Sequence, residues 1–313
     1  MSWRNLLRIK PIPNRLIYNV NGLNNIVTCN IHKELKVRIA HKINELDTFP
    51  YGISELDRIK FVKGLYIDSF NILDSSTYKD DNYVTKLEDI KNRHFSISND
   101  IGIALQDYKI THTVDFNNIN KILNKFYSTR IGIRTLISYV ISINNNTNLI
   151  NEHCNPYKII EDVIDDANNI CYHKYSNYVD IQLTGDSNDN FIYIDQHLYY
   201  ILLEILKNAI EATINNNPDE PILINLEYGK DEIIIKIHDK GGGFSRKEIK
   251  KLFSYFYTTS SYKSDLSGYG FGLPLAKVYA QYFGGDLLVL PIDSVGTDVY
   301  IYINKLGLGL ENI

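Results

Sequence analysis

Apolar residues in the first half of the chain recur at gaps of three and four. Leu35, Ile39, Ile43 and Leu46 share one stripe, and Leu56, Ile59, Val62, Tyr66, Phe70 and Leu73 share a second. A third segment carries Leu87, Ile90, Ile97, Ile101 and Leu105 with His94 on the same seam. A fourth carries Ile119, Ile122, Phe126, Ile133, Ile137 and Ile141, with Arg130 on its seam. This is the helical period, punctuated by Pro50-Tyr51-Gly52 and by the polar cluster from Asp74 to Asp81. Residues 31–148 therefore read as an N-terminal all-α helix bundle.

Beyond Asn151 the pattern changes. Strand-like runs at Val179–Leu183, Phe191–Ile194, Ile222–Tyr228, Ile233–Ile237, Leu287–Leu290 and Val299–Ile303 are rich in Ile, Val and Tyr and bounded by Gly, Asp or Pro. Helical stretches fall between them at about 156–174, 196–214, 246–254 and 274–283. Strands adjacent in sequence with helices interspersed predict a C-terminal α+β sandwich over residues 149–313, its helices covering one face of a mixed sheet. The two patterns meet near 144–151.

Composition narrows the function classes. With 44% apolar and 22% charged residues in 313, the chain is built like an ordinary globular protein. Its formal charge of −4 offers no global basic signal, so nucleic acid is not an expected partner. No apolar run approaches the roughly 18 residues of a membrane span. Three widely spaced cysteines, Cys29, Cys154 and Cys171, point to a reducing compartment and away from a disulfide frame. The runs Asn144-Asn145-Asn146 and Asn215-Asn216-Asn217 read as loop filler. The first 30 residues lack Asp and Glu but carry Arg4, Arg8, Lys10 and Arg15, as a mitochondrial transit segment or a basic arm of the mature domain would. Pro11 and Pro13 cut any amphipathic helix there short.

Four features in the second half carry chemistry. On the helix from Leu198 to Ile214, Glu204 and Asn208 stand at i, i+4 beside an apolar face, bringing a proton-accepting carboxylate within a turn of an amide oxygen able to ligate Mg²⁺. Asp239 ends a strand before Gly241-Gly242-Gly243, where a buried carboxylate suits an adenine amino donor and glycine lets the backbone approach a ligand. Ser267-Gly268-Tyr269-Gly270-Phe271-Gly272-Leu273-Pro274 precedes a helix, and glycine-rich backbone N–H groups beside a helix N-terminus make an anion site suited to phosphates. Gly296-Thr297 opens the last strand. Singly, these are also what a solvated helix face, a turn or a linker presents. Their order distinguishes them.

That order resembles the GHKL (Bergerat-type) ATP-binding fold of histidine kinases, type II topoisomerases, a heat-shock chaperone ATPase and the mismatch-repair ATPases. Glu204-Ile205-Leu206-Lys207-Asn208-Ala209, Asp239-Lys240-Gly241-Gly242-Gly243, Leu252-Phe253-Ser254-Tyr255-Phe256-Tyr257-Thr258-Thr259 and Gly268-Tyr269-Gly270-Phe271-Gly272-Leu273-Pro274 resemble, more narrowly, the mitochondrial pyruvate and branched-chain 2-oxo-acid dehydrogenase kinases. In the helical half, Glu34-Leu35-Lys36-Val37-Arg38-Ile39-Ala40, Lys91-Asn92-Arg93-His94 and Phe126-Tyr127-Ser128-Thr129-Arg130 are similar to the same family's regulatory domain.

The resemblance implies a protein-serine kinase of the mitochondrial matrix that uses ATP and Mg²⁺ to inactivate the decarboxylase component of a 2-oxo-acid dehydrogenase complex. Its implied partners are that component and the lipoyl domain of the acyltransferase, and its implied form is a homodimer. Glu204 would be the general base and Asn208 the Mg²⁺ ligand, while His94 would lie near the catalytic carboxylate and tune it. Asp239 would accept from adenine, with Gly241 and Gly243 bordering the base and Thr297 nearby. Thr258 and Thr259 would flank the nucleotide, and Gly268, Gly270, Gly272 and Leu273 would cover the phosphates. Three departures stand against this. Tyr139-Val140 replaces the family's Gln-His, Glu211 replaces an arginine, which predicts weaker ATP binding, and the family's C-terminal Asp-Trp pair has no counterpart, Trp3 being the one tryptophan. Glu211 and the missing tail keep open an ATP-binding scaffold without phosphotransfer; a histidine kinase is the second alternative, weakened because Tyr139-Val140 stands in place of Gln-His and no histidine sits in a recognisable phosphoacceptor motif.

Overall fold

The computed structural model describes residues 2–12, 24–112, 116–187, 189–257 and 271–305. They fall into two compact units, one holding the chain up to Leu149 together with Phe271, the other Ile150–Tyr257 and the chain from Gly272.

The first unit is helical: α1 (Asn24–Asp47), α2 (Asp57–Asp74), α3 (Tyr83–Arg93), α4 (Ile97–Thr111) and α5 (Phe116–Asn144). The apolar stripes face inward, with Leu35, Ile39, Ile43 and Leu46 of α1 and Ile59, Val62, Phe70 and Leu73 of α2 all buried. The third apolar segment is not one helix. It breaks after Arg93, where His94 turns its ring into the core and its carbonyl accepts from Nη2 of Arg130 on α5 at 2.6 Å. Ile90 and Ile97 lie seven residues apart, about two helical turns, so the apolar register runs through the break unaltered.

Residues of the basic start dock on α1. Trp3–Arg8 forms a short 3₁₀ helix with Leu6 buried. The Ile12 amide donates to Glu34 Oε1 at 2.8 Å, and Arg38 Nη2 donates to the Ile12 carbonyl at 2.5 Å.

The second unit contains β1 (Asn151–Cys154), α6 (Pro156–Tyr175), β2 (Ile181–Gly185), β3 (Phe191–Tyr193), α7 (Asp195–Asn216), β4 (Ile222–Tyr228), β5 (Glu232–Asp239), α8 (Ile249–Leu252), α9 (Gly272–Tyr282), β6 (Asp286–Ile292) and β7 (Gly296–Asn304). Five strands form a mixed sheet in the order β2-β4-β5-β7-β6, parallel between β2 and β4 and antiparallel elsewhere. The α+β sandwich is thus what forms. Alternate residues of β5, β6 and β7 are buried against the helical layer, among them Ile233, Ile235, Ile237, Leu287, Val289 and Ile301. Among the described residues the other face is open, with Leu288, Leu290 and Ile292 of β6 exposed at 42, 42 and 47%.

Two elements differ from the sequence pattern. The polar strand β1 pairs with β3 in a separate ladder, and 246–254 holds a 3₁₀ turn and a single α-turn in place of a longer helix.

Candidate functional site

The Ile-rich run of β5 has every second side chain in the core, which carries Asp239, the last residue of the strand, into the interior at 4% exposure. Its cross-strand partner is Thr297, itself buried. The Gly241 amide donates to Asp239 Oδ1 at 2.9 Å, and the Thr297 amide also donates to this carboxylate. Burial raises the Asp239 pKa against the pull of those two amides.

The glycines after β5 permit close packing. A Cβ at Gly241 would lie 2.6 Å from the Ala212 Cβ and 2.7 Å from the Ala212 carbonyl carbon, so β5 and α7 meet here with no side chain between them. Gly243 has φ of 60° and lies against the carbonyls of Ile292 and Gly296, in a conformation and a space open to glycine alone.

Helix α7 is the spine of the site. Its apolar face, including Leu198, Ile201, Leu202 and Ile205, is buried, which fixes the rotation of the helix and so the direction of its other side chains. Glu204, Asn208 and Ala212 follow at i, i+4 and i+8 on one side, spanning about 12 Å along the axis. At the far end Ala212 meets Gly241. At the near end Glu204 meets Gly272, the first residue of α9, where an added Cβ would collide with Glu204 Oε2. Exposed Asn208 stands midway. The buried acceptor Asp239 and the N-terminus of α9 thus lie toward opposite ends of one line of side chains.

The structure therefore brings Glu204 to Gly272 and Asp239 to Gly241 and Thr297. Leu273 follows in the first turn of α9, half-buried. Thr258, Thr259, Gly268 and Gly270 lie outside the described residues.

His94 belongs to the core of the helical unit and is 2% exposed. Its Nε2 lies 2.9 Å from Ser69 Oγ, whose hydroxyl donates to the Leu65 carbonyl at 2.8 Å, and its ring lies 4.5 Å from that of Tyr66. Burial, reinforced by the Arg130 cation, pushes its pKa down to about 3. The imidazole is neutral at working pH.

Two charged partners escaped the sequence reading. Lys207 Nζ donates to Glu204 Oε1 at 2.7 Å, an i, i+3 pair that the Glu-x-x-Lys spacing would have suggested. Lys174 on α6 lies 3.5 Å from Glu211, which also receives a hydrogen bond from Tyr175. Glu211, expected to repel phosphates, is offset by that cation.

The donor set suits a nucleotide: a buried carboxylate for an amino donor, glycines where backbone must approach, and a helix N-terminus for an anion. Among the described residues no group of three or more His, Cys, Asp or Glu side chains is placed to hold a metal ion. A divalent ion carried in on phosphates and met by an amide oxygen needs no such cage. Among the same residues, no helix is long and apolar enough to cross a membrane.

Residues 2–166 match the model of the family described as mitochondrial branched-chain alpha-ketoacid dehydrogenase kinase. Residues 194–306 match that of the histidine kinase-, DNA gyrase B-, and HSP90-like ATPases. The chain is 30% identical over 309 residues to a mitochondrial [pyruvate dehydrogenase (acetyl-transferring)] kinase of Arabidopsis thaliana, covering 88% of this chain and 84% of that protein. It is 35% identical over 253 residues to the Schizosaccharomyces pombe protein of the same name, covering 72% and 59% respectively. With isozyme 4 of Homo sapiens it shares 30% identity over 314 residues, covering 88% and 76%.

Proposed function

The chain belongs to the mitochondrial branched-chain alpha-ketoacid dehydrogenase kinase family, and from that premise we propose that it is a protein-serine kinase that uses ATP to phosphorylate and inactivate the decarboxylase component of a 2-oxo-acid dehydrogenase complex in the mitochondrial matrix. The relatives named pyruvate dehydrogenase kinases support pyruvate dehydrogenase as the substrate complex.

One observation carries the chemistry: a carboxylate, Glu204, is held against the first residue of a helix whose N-terminus suits phosphate, on the same helix that meets the buried Asp239 loop. Asp239 accepts from the adenine amino group, and Gly241, Gly243 and Thr297 border the base. Gly272 and Leu273 open the phosphate end; the roles proposed for Thr258 and Thr259 beside the nucleotide and for Gly268 and Gly270 over the phosphates come from the family resemblance, these four lying outside the described residues. Glu204 takes the proton from the substrate hydroxyl, help worth about 10²- to 10⁴-fold in rate. Asn208 is the residue that would hold Mg²⁺, which when bound offsets the charge on the phosphate oxygens. His94, neutral and fixed, takes no proton and contributes only as an oriented dipole.

A homodimer is part of the proposal. The open face of the sheet exposes Leu288, Leu290 and Ile292 in a row, an apolar strip suited to a second copy. The lipoyl domain of the acyltransferase is the second partner proposed.

The test is incubation of the full chain with Mg-ATP and purified pyruvate or branched-chain dehydrogenase complexes, followed by mapping of the phosphate. Acid-stable phosphate on serine of the decarboxylase component, with loss of its activity, is the expected result. Acid-labile phosphate on histidine, or nucleotide binding without transfer, overturns it.

A further inference from the structure

Lys207 has no role in the reading above, yet it touches the group on which that reading depends. Its ammonium lies 2.7 Å from Glu204 Oε1, with the two side chains 22 and 17% exposed. The other oxygen, Oε2, is the one that lies against Gly272. The carboxylate is therefore bounded on two sides, by a cation at one oxygen and by the start of α9 at the other. The next acid along the helix, Glu211 at i+4 from Lys207, is matched by Lys174. Lys207 is thus directed to Glu204 by the charge pattern of α7 and α6 together. A partly exposed i, i+3 pair contributes little to stability, so orientation is the consequence that matters here.

We propose that Lys207 is a positioning residue for the phosphotransfer step. By occupying Oε1 it fixes the carboxylate plane and leaves Oε2, at the α9 end, to receive the proton. In that step the serine O–H proton passes to Oε2 while the serine oxygen bonds to the γ-phosphorus. The bond from that phosphorus to the β,γ-bridging oxygen breaks, and its electron pair leaves with ADP. The proposal rests on Glu204 being the base, and it adds which oxygen acts and what holds it there.

The experiment compares transfer by the full chain, with Mg-ATP and the purified decarboxylase component, for wild type, Lys207→Met, Lys207→Arg, Glu204→Gln and the Lys207→Met/Glu204→Gln double variant. ATP affinity is measured by calorimetry on each. Misplacing a reacting group by about an ångström costs on the order of 10²-fold, so Lys207→Met should lower kcat by about 10- to 100-fold. Its Kd for ATP should stay within about twofold of wild type, since a residue acting through Glu204 adds nothing to ground-state binding. Lys207→Arg, which keeps the cation, should recover part of the rate. The double variant should be no slower than Glu204→Gln alone, because positioning is worthless once the base is gone. A parallel loss of ATP affinity in Lys207→Met, wild-type kcat in that variant, or a further drop in the double variant would overturn the proposal. If Glu204→Gln transfers at the wild-type rate, or wild type binds ATP without transfer, the base assignment falls and Lys207 with it. If Glu204→Gln is inactive and Lys207→Met is not slowed, only the positioning role falls.

Discussion

Acidification should weaken the helical unit through one side chain. His94 is neutral in the folded state with a pKa of about 3, because burial and the cation of Arg130, with Arg134 and Arg93 adding to it, oppose its protonation. Unfolding releases it to the ordinary value of 6.5. The folded value lies below the unfolded one, so between them the unfolded chain binds the extra proton. The contribution is present in full above the unfolded value and is lost as pH falls toward the folded one, at about 1.4 kcal/mol per pH unit. From about pH 7.5 to about pH 4.5 the loss is about 3 kcal/mol, and near pH 3 it is about 4 kcal/mol. Such losses are a large part of the roughly 5–15 kcal/mol that holds a domain folded. Trp3, packed with its short helix on α1, reports on this unit by fluorescence, and it is the one tryptophan in the chain. Urea unfolding curves of wild type and His94→Gln at several pH values should diverge, the wild type losing about 3 kcal/mol more than the variant over that range. Parallel pH dependences would show that His94 does not stay neutral in the fold, and the assignment of the imidazole as a fixed dipole would fail with it.

Three further outcomes follow from the Asp239 end of the site. Gly241→Ala sets a Cβ 2.6 Å from the Ala212 Cβ, so β5 and α7 must part, at a cost of about 1–3 kcal/mol seen as a lowered Tm, and calorimetry should show weakened ATP binding as the Gly241 amide leaves Asp239. Asp239→Asn should weaken ATP and ADP equally, by about 10- to 100-fold, because a charged acceptor to a buried donor is worth about 1.5–3 kcal/mol. Wild-type ATP affinity should also fall on acidification at a pH above the ordinary carboxylate value, since burial raises the Asp239 pKa, and the variant should lack that step.

Regular periods made much of this legible from residues alone. The spacing of Glu204, Asn208 and Ala212 on α7 is set by 3.6 residues per turn, and the burial of Asp239 by the alternation along Ile233, Ile235 and Ile237. What stayed hidden depends on contacts distant in sequence. The break at His94 is masked by a seven-residue step that preserves the apolar register, and the carbonyl there is met by Arg130, 36 residues away. The strand β1 has a polar sequence and forms because β3 supplies its ladder. Glu211 read as a charge facing phosphates because Lys174, which offsets it, lies 37 residues earlier. Lys207 needed no distant partner. Its spacing was visible, and only the side chain's direction, given by the fold of α6 over α7, was not.

The central claim is that Glu204 acts on the hydroxyl proton and not on the nucleotide. Calorimetric titration of Mg-ATP into wild type and Glu204→Gln, run beside transfer to the purified decarboxylase component, separates the two directly. The account predicts an unchanged Kd with transfer reduced by about 10²- to 10⁴-fold in the variant. Equal loss of binding and transfer, or transfer that survives the substitution, would contradict it.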